Sequence, residues 1–231
     1  MRLALFDIDG TLISTKGAGM RAFYWALQKL FGIRVENEVI RPDGMTDPLI
    51  LKSLLAHFDM SDRWCIQTQE TLFSCYLECL EDEMSRARER GQIKILPGVD
   101  DLLEELAALE DFCVGLATGN LERGAGIKLD KAGLSKYFRF GGYGSDSEDR
   151  TGLVRIGIQR GARIIAPAPV EEAFVIGDTP LDIIHGRAAG ARTIAVASAR
   201  YSVNDLYREK PDLVVPDLSA TDSIVSFMRN P

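Results

Sequence analysis

The chain has 231 residues, of which 46% are hydrophobic and 26% are charged, and its formal net charge at pH 7 is −7. This composition is ordinary for a soluble globular protein, and the acidic excess argues against binding nucleic acid or anionic lipid by bulk attraction. No apolar run approaches the ~20 residues of a membrane span, and two aspartates interrupt the only early apolar stretch, so no secretory signal is expected.

Four cysteines are spread along the chain without the spacing of a metal site: Cys65, Cys75, Cys79 and Cys113. Cys75 and Cys79 lie four residues apart in a helical pattern, which places both on one packed helix. Reduced thiols and the absence of an export signal predict a cytoplasmic protein.

Short apolar runs predict the buried strands of a parallel sheet. They cover residues 2–6, 112–117, 138–143, 173–177, 193–197 and 212–216. Helical patterns separate the later runs, including one that ends at Gly133. Alternating strands and helices predict a doubly wound, Rossmann-like α/β sheet.

The stretch between residues 12 and 95 departs from this alternation, because its patterns are helical only. Helices are predicted over 20–31, over 46–58 with Thr46 or Asp47 as the N-cap, and from Ser61 to Gly91. Such a block is too long for a loop. It predicts an α-helical domain at 14–92, inserted after the first strand of an α/β core formed by 1–13 and 93–231.

The first strand ends in the motif Asp7-Ile8-Asp9-Gly10. Residues i and i+2 of an extended chain point the same way, so both carboxylates could face one spot. At ~4–5 Å they would repel by about 3–4 kcal/mol at an effective dielectric near 20. Three arrangements relieve this: a proton on one carboxylate, a cation between them, or Asp9 turned away with only its backbone oxygen contributing. Oxygen-rich sites suit Mg²⁺, although an Asp-rich turn that caps a strand is the simpler alternative.

Two later strands also end in residues that can do chemistry. Thr118 and Gly119 follow one strand, where Asn120 is predicted to cap the next helix. Asp178 follows another, before Thr179 as an N-cap and Asp182 in the first helical turn. In a doubly wound sheet all these residues collect along one edge, where ligands bind.

The motifs "DIDGT", "LATGN" and "IGDTPLD", in this order and with a helical insertion between the first two, resemble the haloacid dehalogenase superfamily. The resemblance is to its phosphatase branch, of the phosphoglycolate-phosphatase-like type with a helical cap. It implies that Asp7 is the nucleophile that forms an aspartyl-phosphate, and that Asp9 is the general acid and then the base. It also implies that Thr118 and the Gly119 amide hold the phosphoryl oxygens.

The resemblance further implies a magnesium site. Asp178 would complete it together with the Asp7 carboxylate and the Asp9 backbone carbonyl, and Asp182 would support it. An aspartate at position 9 is typical of phosphoryl chemistry, because the dehalogenases of this superfamily usually lack it.

One element departs from the family pattern, because no lysine lies between Lys136 and Lys210. An arginine must take the place of the usual lysine upstream of the last acidic motif. Arg150 is favoured over Arg155, since it is predicted at a helix start on the strand-end side and Arg155 lies about 7 Å further along the axis. The alternative is a solvent-facing Arg150 paired with Glu148 or Asp149.

The function expected is a Mg²⁺-dependent phosphatase of a small phosphate ester. A phosphomutase, a phosphonate hydrolase with Lys16 as its reactive lysine, and a non-catalytic aspartate-phosphorylation switch are the alternatives. Lys16, Arg21 and the turn 41–48 are candidates for contacts with the leaving group.

Overall fold

The computed structural model describes residues 1–230, and these form a parallel sheet flanked by helices. Its strands are β1 (Arg2–Phe6), β2 (Ile13–Ser14), β3 (Lys94–Ile95), β4 (Phe112–Thr118), β5 (Gly141–Tyr143), β6 (Glu172–Gly177), β7 (Arg192–Val196) and β8 (Leu213–Val215). Its helices are α1 (Ala18–Phe31), α2 (Asp47–His57), α3 (Ile66–Glu89), α4 (Val99–Ala108), α5 (Glu122–Ala132), α6 (Arg150–Ile165), α7 (Pro180–Ala188), α8 (Val203–Tyr207) and α9 (Thr221–Arg229).

Six of the strands form one sheet in the order β5-β4-β1-β6-β7-β8, with every pair parallel. The central strand β1 is covered on both faces. Leu3 and Leu5 lie in one hydrophobic cluster, and Ala4 and Phe6 lie in the cluster on the other face. A strand that is buried on both faces has no polar alternation, which explains its continuous apolar sequence. The predicted α/β class is confirmed.

Helices α1, α2 and α3 pack around a hydrophobic cluster that is mostly their own, and Leu121 and Ile127, beside and within α5, also contribute to it. At its centre the rings of Phe23 and Tyr76 stack with centroids 3.9 Å apart. Strands β2 and β3 pair antiparallel where the chain leaves and re-enters the sheet region. The division into a core and an inserted domain at 14–92 remains a prediction, which this separate cluster supports.

Two predicted elements were wrong in their bounds. The helix expected from Ser61 begins at Ile66, because Ser61–Arg63 form a 3₁₀ turn and Cys65 is extended with φ −123° and ψ 166°. The strand expected over 138–143 is shorter and covers Gly141–Tyr143, although Arg139 and Phe140 already form backbone hydrogen bonds with Val114 and Leu116 of β4 at 3.4 and 3.0 Å.

Cys75 and Cys79 are buried on α3, as predicted, and the four cysteines are free thiols. Among residues 1–230 no helix combines the length and the apolar character that crossing a bilayer requires.

Candidate active site

The register of three neighbouring strands brings the polar motifs together. Phe6 of β1 pairs with Leu116 of β4 and with Ile176 of β6. The residues just beyond these pairs, which include Asp7, Thr118 and Asp178, therefore lie at one carboxyl edge of the sheet. The predicted convergence at this edge is what the structure shows.

Three buried aspartates form the centre of the site. One carboxylate oxygen from each of Asp7, Asp178 and Asp182 lies within 4.8 Å of the others. Burial raises the pKa of Asp7 to about 7, Arg150 opposes this rise, and Asp182 and Asp9 add to it. Burial, followed by the charges of Asp182 and Asp7, raises the pKa of Asp178 well above its usual range. Ionisation of all three carboxylates together is therefore unfavourable unless a further positive charge balances them.

Local turns hold these carboxylates in place. The Thr11 hydroxyl donates to Asp178 at 3.0 Å. Gly10 has φ +86°, and a Cβ atom there would lie 2.4 Å from the Asp178 carboxylate, so only glycine fits this approach. Thr179 caps α7, and its amide and hydroxyl donate to Asp182 at 3.0 and 2.7 Å in a capping box.

Arg150 supplies the cation of this group. It is the first residue of α6, whose N-cap Asp149 accepts from two backbone amides, and it is 5% exposed. Its guanidinium donates to Asp182 and to the Gly44 carbonyl at 3.2 Å, and lies 4.0 Å from the Asp7 carboxylate. The alternative of a solvent-facing Arg150 is therefore wrong. Arg155 instead donates to the Ala188 carbonyl at 2.9 Å and contacts none of the three aspartates.

The turn after β4 lies beside this group. Thr118 is fully buried, and its hydroxyl accepts the Asn120 amide at 3.3 Å. A Cβ atom on Gly119 would lie 2.4 Å from the Met45 carbonyl, so the loop before α2 packs directly on this turn. The prediction that Asn120 caps a helix was wrong. Helix α5 begins at Glu122, and the Asn120 side-chain amide donates to Asp9 at 3.1 Å.

Sequence reasoning missed Lys128 as a member of the site. Its ammonium donates to the Asp9 carboxylate, and its side chain is 3% exposed, against 43% for Asp9. Burial acts to lower the pKa of Lys128, but the charges of Asp9 and Asp47 and the hydrogen bond to Asp9 outweigh it and raise the pKa. A signal was present, because Lys128 lies three residues after Ala125 and beside Leu129, within the buried face of α5.

The contact between Asp47 and the start of α5 was also missed, because Asp47 was considered as an N-cap, a surface residue or a substrate contact. Thr46 holds the N-cap position of α2, without a capping bond from its side chain. Asp47 is 2% exposed and accepts the Leu121 amide, next to the start of α5, at 2.9 Å. Burial raises the pKa of Asp47 to about 6, although Lys128 and the Leu121 amide act against this rise.

Comparison with known proteins decides the family. Residues 4–196 match the family model described as haloacid dehalogenase-like hydrolase. The chain belongs to this family. A protein of Caldanaerobacter subterraneus subsp. tengcongensis named "Putative pyrophosphatase PpaX" is 29% identical over 219 residues, which cover 93% of this chain and 90% of that protein.

Solved structures of similar proteins agree with this membership. A hydrolase from Pseudomonas syringae is 26% identical, with a TM-score of 0.71 and coverage of 98% of this chain and 99% of that one. A β-phosphoglucomutase from Clostridium difficile is 18% identical, with a TM-score of 0.67 and coverage of 99% and 97%, and shares the fold. The predicted superfamily and its phosphatase branch are confirmed, and the protein is a phosphatase of the haloacid dehalogenase-like hydrolase family.

In this family member a cavity of about 280 Å³ lies above the aspartates. Asp9, Lys128 and Arg150 line it, together with residues of α1 and α2. Of the proposed substrate contacts, exposed Lys16 and buried Asp47 lie on its wall. Arg21 instead pairs with Glu83 at 2.7 Å. Thr46 donates to the Glu148 carbonyl at 3.3 Å, and Arg41 is exposed away from the wall.

Proposed function

We propose that the protein is a Mg²⁺-dependent phosphatase that hydrolyses a small phosphorylated metabolite through an aspartyl-phosphate on Asp7. The observation that carries the proposal is the group of three buried aspartates with one guanidinium at the carboxyl edge of the sheet. Open α/β sheets bind ligands at this edge. The adjoining cavity has room for a phosphate and a small leaving group.

The residues present fit a divalent cation. Asp7, Asp178 and Asp182 together carry three formal negative charges, and Arg150 offsets one of them. The excess of two equals the charge of Mg²⁺, which takes oxygen ligands. We propose that the Asp7 and Asp178 carboxylates and the Asp9 carbonyl hold the ion and that Asp182 supports them. When bound, the ion would neutralise charge on the phosphoryl group.

The chain's own residues would carry the two chemical steps. An Asp7 oxygen attacks phosphorus while the bond from phosphorus to the leaving oxygen breaks, and Asp9 donates its proton to that oxygen. Asp9, now ionised, takes a proton from water as the water oxygen attacks phosphorus. This second attack breaks the bond to Asp7 and releases inorganic phosphate.

Binding of the transferred group would fall to residues around Asp7. Arg150 is fixed by Asp182 and Gly44, so it can present its guanidinium to the phosphoryl oxygens without further ordering. The Thr118 hydroxyl and the Gly119 amide lie at the end of the neighbouring strand. We propose that these three residues bind the equatorial oxygens, because phosphoryl transfer depends mainly on alignment and charge neutralisation.

The substrate candidates include inorganic pyrophosphate, because the bacterial relative described above carries pyrophosphatase in its name. A phosphomutase is supported only by a shared fold. A phosphonate hydrolase needs an uncharged amine, whereas the carboxylates around Lys128 favour its ammonium form and Lys16 is exposed. We place the reaction in the cytoplasm, as the free thiols suggest.

The test is hydrolysis of pyrophosphate and a panel of phosphate esters, with Mg²⁺ and with EDTA. Activity should require Mg²⁺ and should return when Mg²⁺ is added back. Asp7→Asn should lower kcat by about 10⁴-fold or more, because an amide cannot act as this nucleophile.

Asp111→Asn is the matched control, since Asp111 lies just before β4 at the opposite edge of the sheet and pairs with Arg229 at 3.0 Å. It should keep full activity. Metal-dependent turnover that survives in Asp7→Asn at the rate of the control would show that the proposed function is wrong.

A further inference from the structure

A second buried cation, Lys128, lies on the side of the cavity where the proposed general acid stands. Among residues 1–230, Asp9 is the only hydrogen-bond partner that the ammonium has. An ammonium carries three N–H donors, so two remain without a partner. Gly19 of α1 faces the ammonium, because a Cβ atom there would lie 3.5 Å from Nζ. Because glycine has no side chain, Gly19 does not cover the Lys128 ammonium. Both Gly19 and Lys128 line the cavity.

A second unpaired group lies beside the first. Asn120 donates from Nδ2 to the same Asp9 oxygen that Lys128 contacts, and its Oδ1 atom is buried without a partner in the part of the chain that the structure describes. Buried polar atoms without partners are rare in proteins. The polar surface around Asp9 therefore has unused hydrogen-bonding capacity on the wall of the cavity.

The carboxylates near Lys128 leave room for a further anion. Asp9 is partly exposed and also accepts from Asn120, so it is shared between two donors. Asp47 is nearby, but its carboxylate accepts the Leu121 amide and forms no hydrogen bond with the ammonium. A buried charge is stabilised by hydrogen bonds to groups of opposite charge. A negative charge on a substrate in the cavity would accept from the N–H donors of Lys128 that have no partner.

We propose that Lys128 binds a negative charge on the leaving group, so that the enzyme prefers substrates whose leaving group holds a phosphate or a carboxylate next to the scissile bond. Asp9 protonates the leaving oxygen, and the same Asp9 carboxylate contacts Lys128. Atoms one or two bonds from that oxygen would therefore come within about 3–5 Å of Nζ. The inference rests on the proposed function, because it uses the acid role of Asp9.

The experiment compares two matched substrates, 2-phosphoglycolate and 2-hydroxyethyl phosphate, which differ by a carboxylate in place of a hydroxymethyl group. The wild type should favour phosphoglycolate by about tenfold or more in kcat/KM, the effect of one charge-assisted hydrogen bond. Lys128→Met should reduce this ratio about tenfold, while the rate for the neutral ester falls less. A second pair, pyrophosphate and phenyl phosphate, repeats the comparison with a phosphate as the anion. The pair whose kcat/KM ratio falls more in Lys128→Met identifies the preferred anion.

The matched control is Lys131→Met on the same helix. Lys131 pairs with Glu81 at 2.6 Å and does not line the cavity, so the substrate ratio should stay as in the wild type. A ratio that Lys128→Met leaves unchanged, or equal losses for both substrates, would overturn the proposal, because Lys128 would then act only through Asp9 or through folding. If Lys128→Met does not fold, the double variant Lys128→Met/Asp47→Asn, which also removes the unpaired carboxylate, is measured against Asp47→Asn.

Binding separates this proposal from the proposed function. Calorimetry with Asp7→Asn should show phosphoglycolate binding about tenfold tighter than hydroxyethyl phosphate, and adding Lys128→Met should remove the difference. This preference would stand even if the protein hydrolysed neither compound. Equal affinities in Asp7→Asn would sink the role of Lys128 and leave the phosphatase proposal untouched.

Discussion

The site has two sides, and on each a buried cation from a helix that flanks the sheet lies between two carboxylates. On the Asp7 side Arg150 lies between Asp182 and Asp7, and all three belong to the sheet edge and its helices. On the Asp9 side Lys128 lies near Asp9 and Asp47, and Asp47 belongs to helix α2 of the 14–92 segment. On the Asp7 side the charged side chains all come from the sheet edge and its helices, and the 14–92 segment adds only a backbone contact, the Gly44 carbonyl that accepts from Arg150. On the Asp9 side one of the charged side chains, Asp47, comes from that segment itself.

This difference suggests a division of labour. A phosphoryl group is the same in every substrate, so the side chains that would bind it can be fixed at the sheet edge. The leaving group differs between substrates. Asp47 of the 14–92 segment lies near Lys128. A substitution in that segment could therefore change the preference for a leaving group without changing the charged side chains on the Asp7 side.

The largest expected effect tests the Asp7 side. Arg150→Met should lower kcat/KM about 10²- to 10³-fold for every substrate alike, because one preorganised donor to the phosphoryl group is lost. It should also lower the free energy of unfolding by about 3–5 kcal/mol, since Asp182 loses its buried partner. Steady-state kinetics and urea denaturation measure the two effects.

Arg150→Lys and Arg155→Met provide the controls. The lysine variant keeps the charge and should retain more activity than Arg150→Met. Arg155→Met removes an arginine of the same helix that donates to the Ala188 carbonyl and to none of the three aspartates, and should change neither quantity appreciably. A loss confined to substrates with charged leaving groups would contradict the division between the two sides.

The next effect tests the packing of the Asp7 side through Gly10. Gly10 and Gly32 both have positive φ, +86° and +70°, but a Cβ atom on Gly32 would meet nothing within 4 Å. Gly32→Ala should therefore lower the free energy of unfolding by about 1–2 kcal/mol, the strain of an alanine in the left-handed conformation. Gly10→Ala should cost about 1–3 kcal/mol more, because its methyl group collides with Asp178.

Urea denaturation and Mg²⁺-dependent activity measure the Gly10 effect. Activity should fall in Gly10→Ala and not in Gly32→Ala, since only the first displaces a proposed metal ligand. Equal stability losses in the two variants would mean that the Asp178 carboxylate can move aside freely, contrary to the tight packing of this side.

The same division explains which parts could be predicted from the sequence. Most strands of the parallel sheet and the positions of Asp7, Thr118, Asp178 and Arg150 follow from local patterns, because each of these residues stands at the end of a strand or the start of a helix. The rule that parallel strands share a carboxyl edge then brings them together. The prediction of helical patterns only between residues 12 and 95 was wrong for β2 and β3, since strands of two residues carry no recognisable periodicity.

The Asp9 side could not be predicted in this way, because its contacts join residues far apart in sequence. Asn120 bonds Asp9, 111 positions away, and Asp47 accepts an amide 74 positions away. Locally, Asn120 resembles a cap and Asp47 beside Pro48 resembles a helix start. The 14–92 segment packs on α5 mainly through α3, which brings Gly19 of α1 close to Lys128. No local pattern encodes that packing.

The smallest expected effect tests the Asp9 side through the charge of Asp47. Burial raises the pKa of Asp47 to about 6 in the folded protein, above its ordinary 3.8. Between these values the folded state holds the proton more tightly than the unfolded state, so stability falls as pH rises from about 4 to about 6. Asp47→Asn removes this contribution. Relative to the variant, the wild type should lose about 2 kcal/mol of unfolding free energy between pH 4 and pH 7.

Urea denaturation at several pH values measures the difference between wild type and Asp47→Asn, in which the other titrating groups largely cancel. Asp205→Asn is the control of opposite sign, because the Ser202 hydroxyl lowers the pKa of Asp205, and ionisation there stabilises the fold as pH rises. A flat difference for Asp47→Asn would mean that Asp47 is solvated and the 14–92 segment stands away from α5 in solution. The Asp9 side would then form only when a ligand brings the two together, and its selectivity would appear in the rate of closure and not in a preformed site.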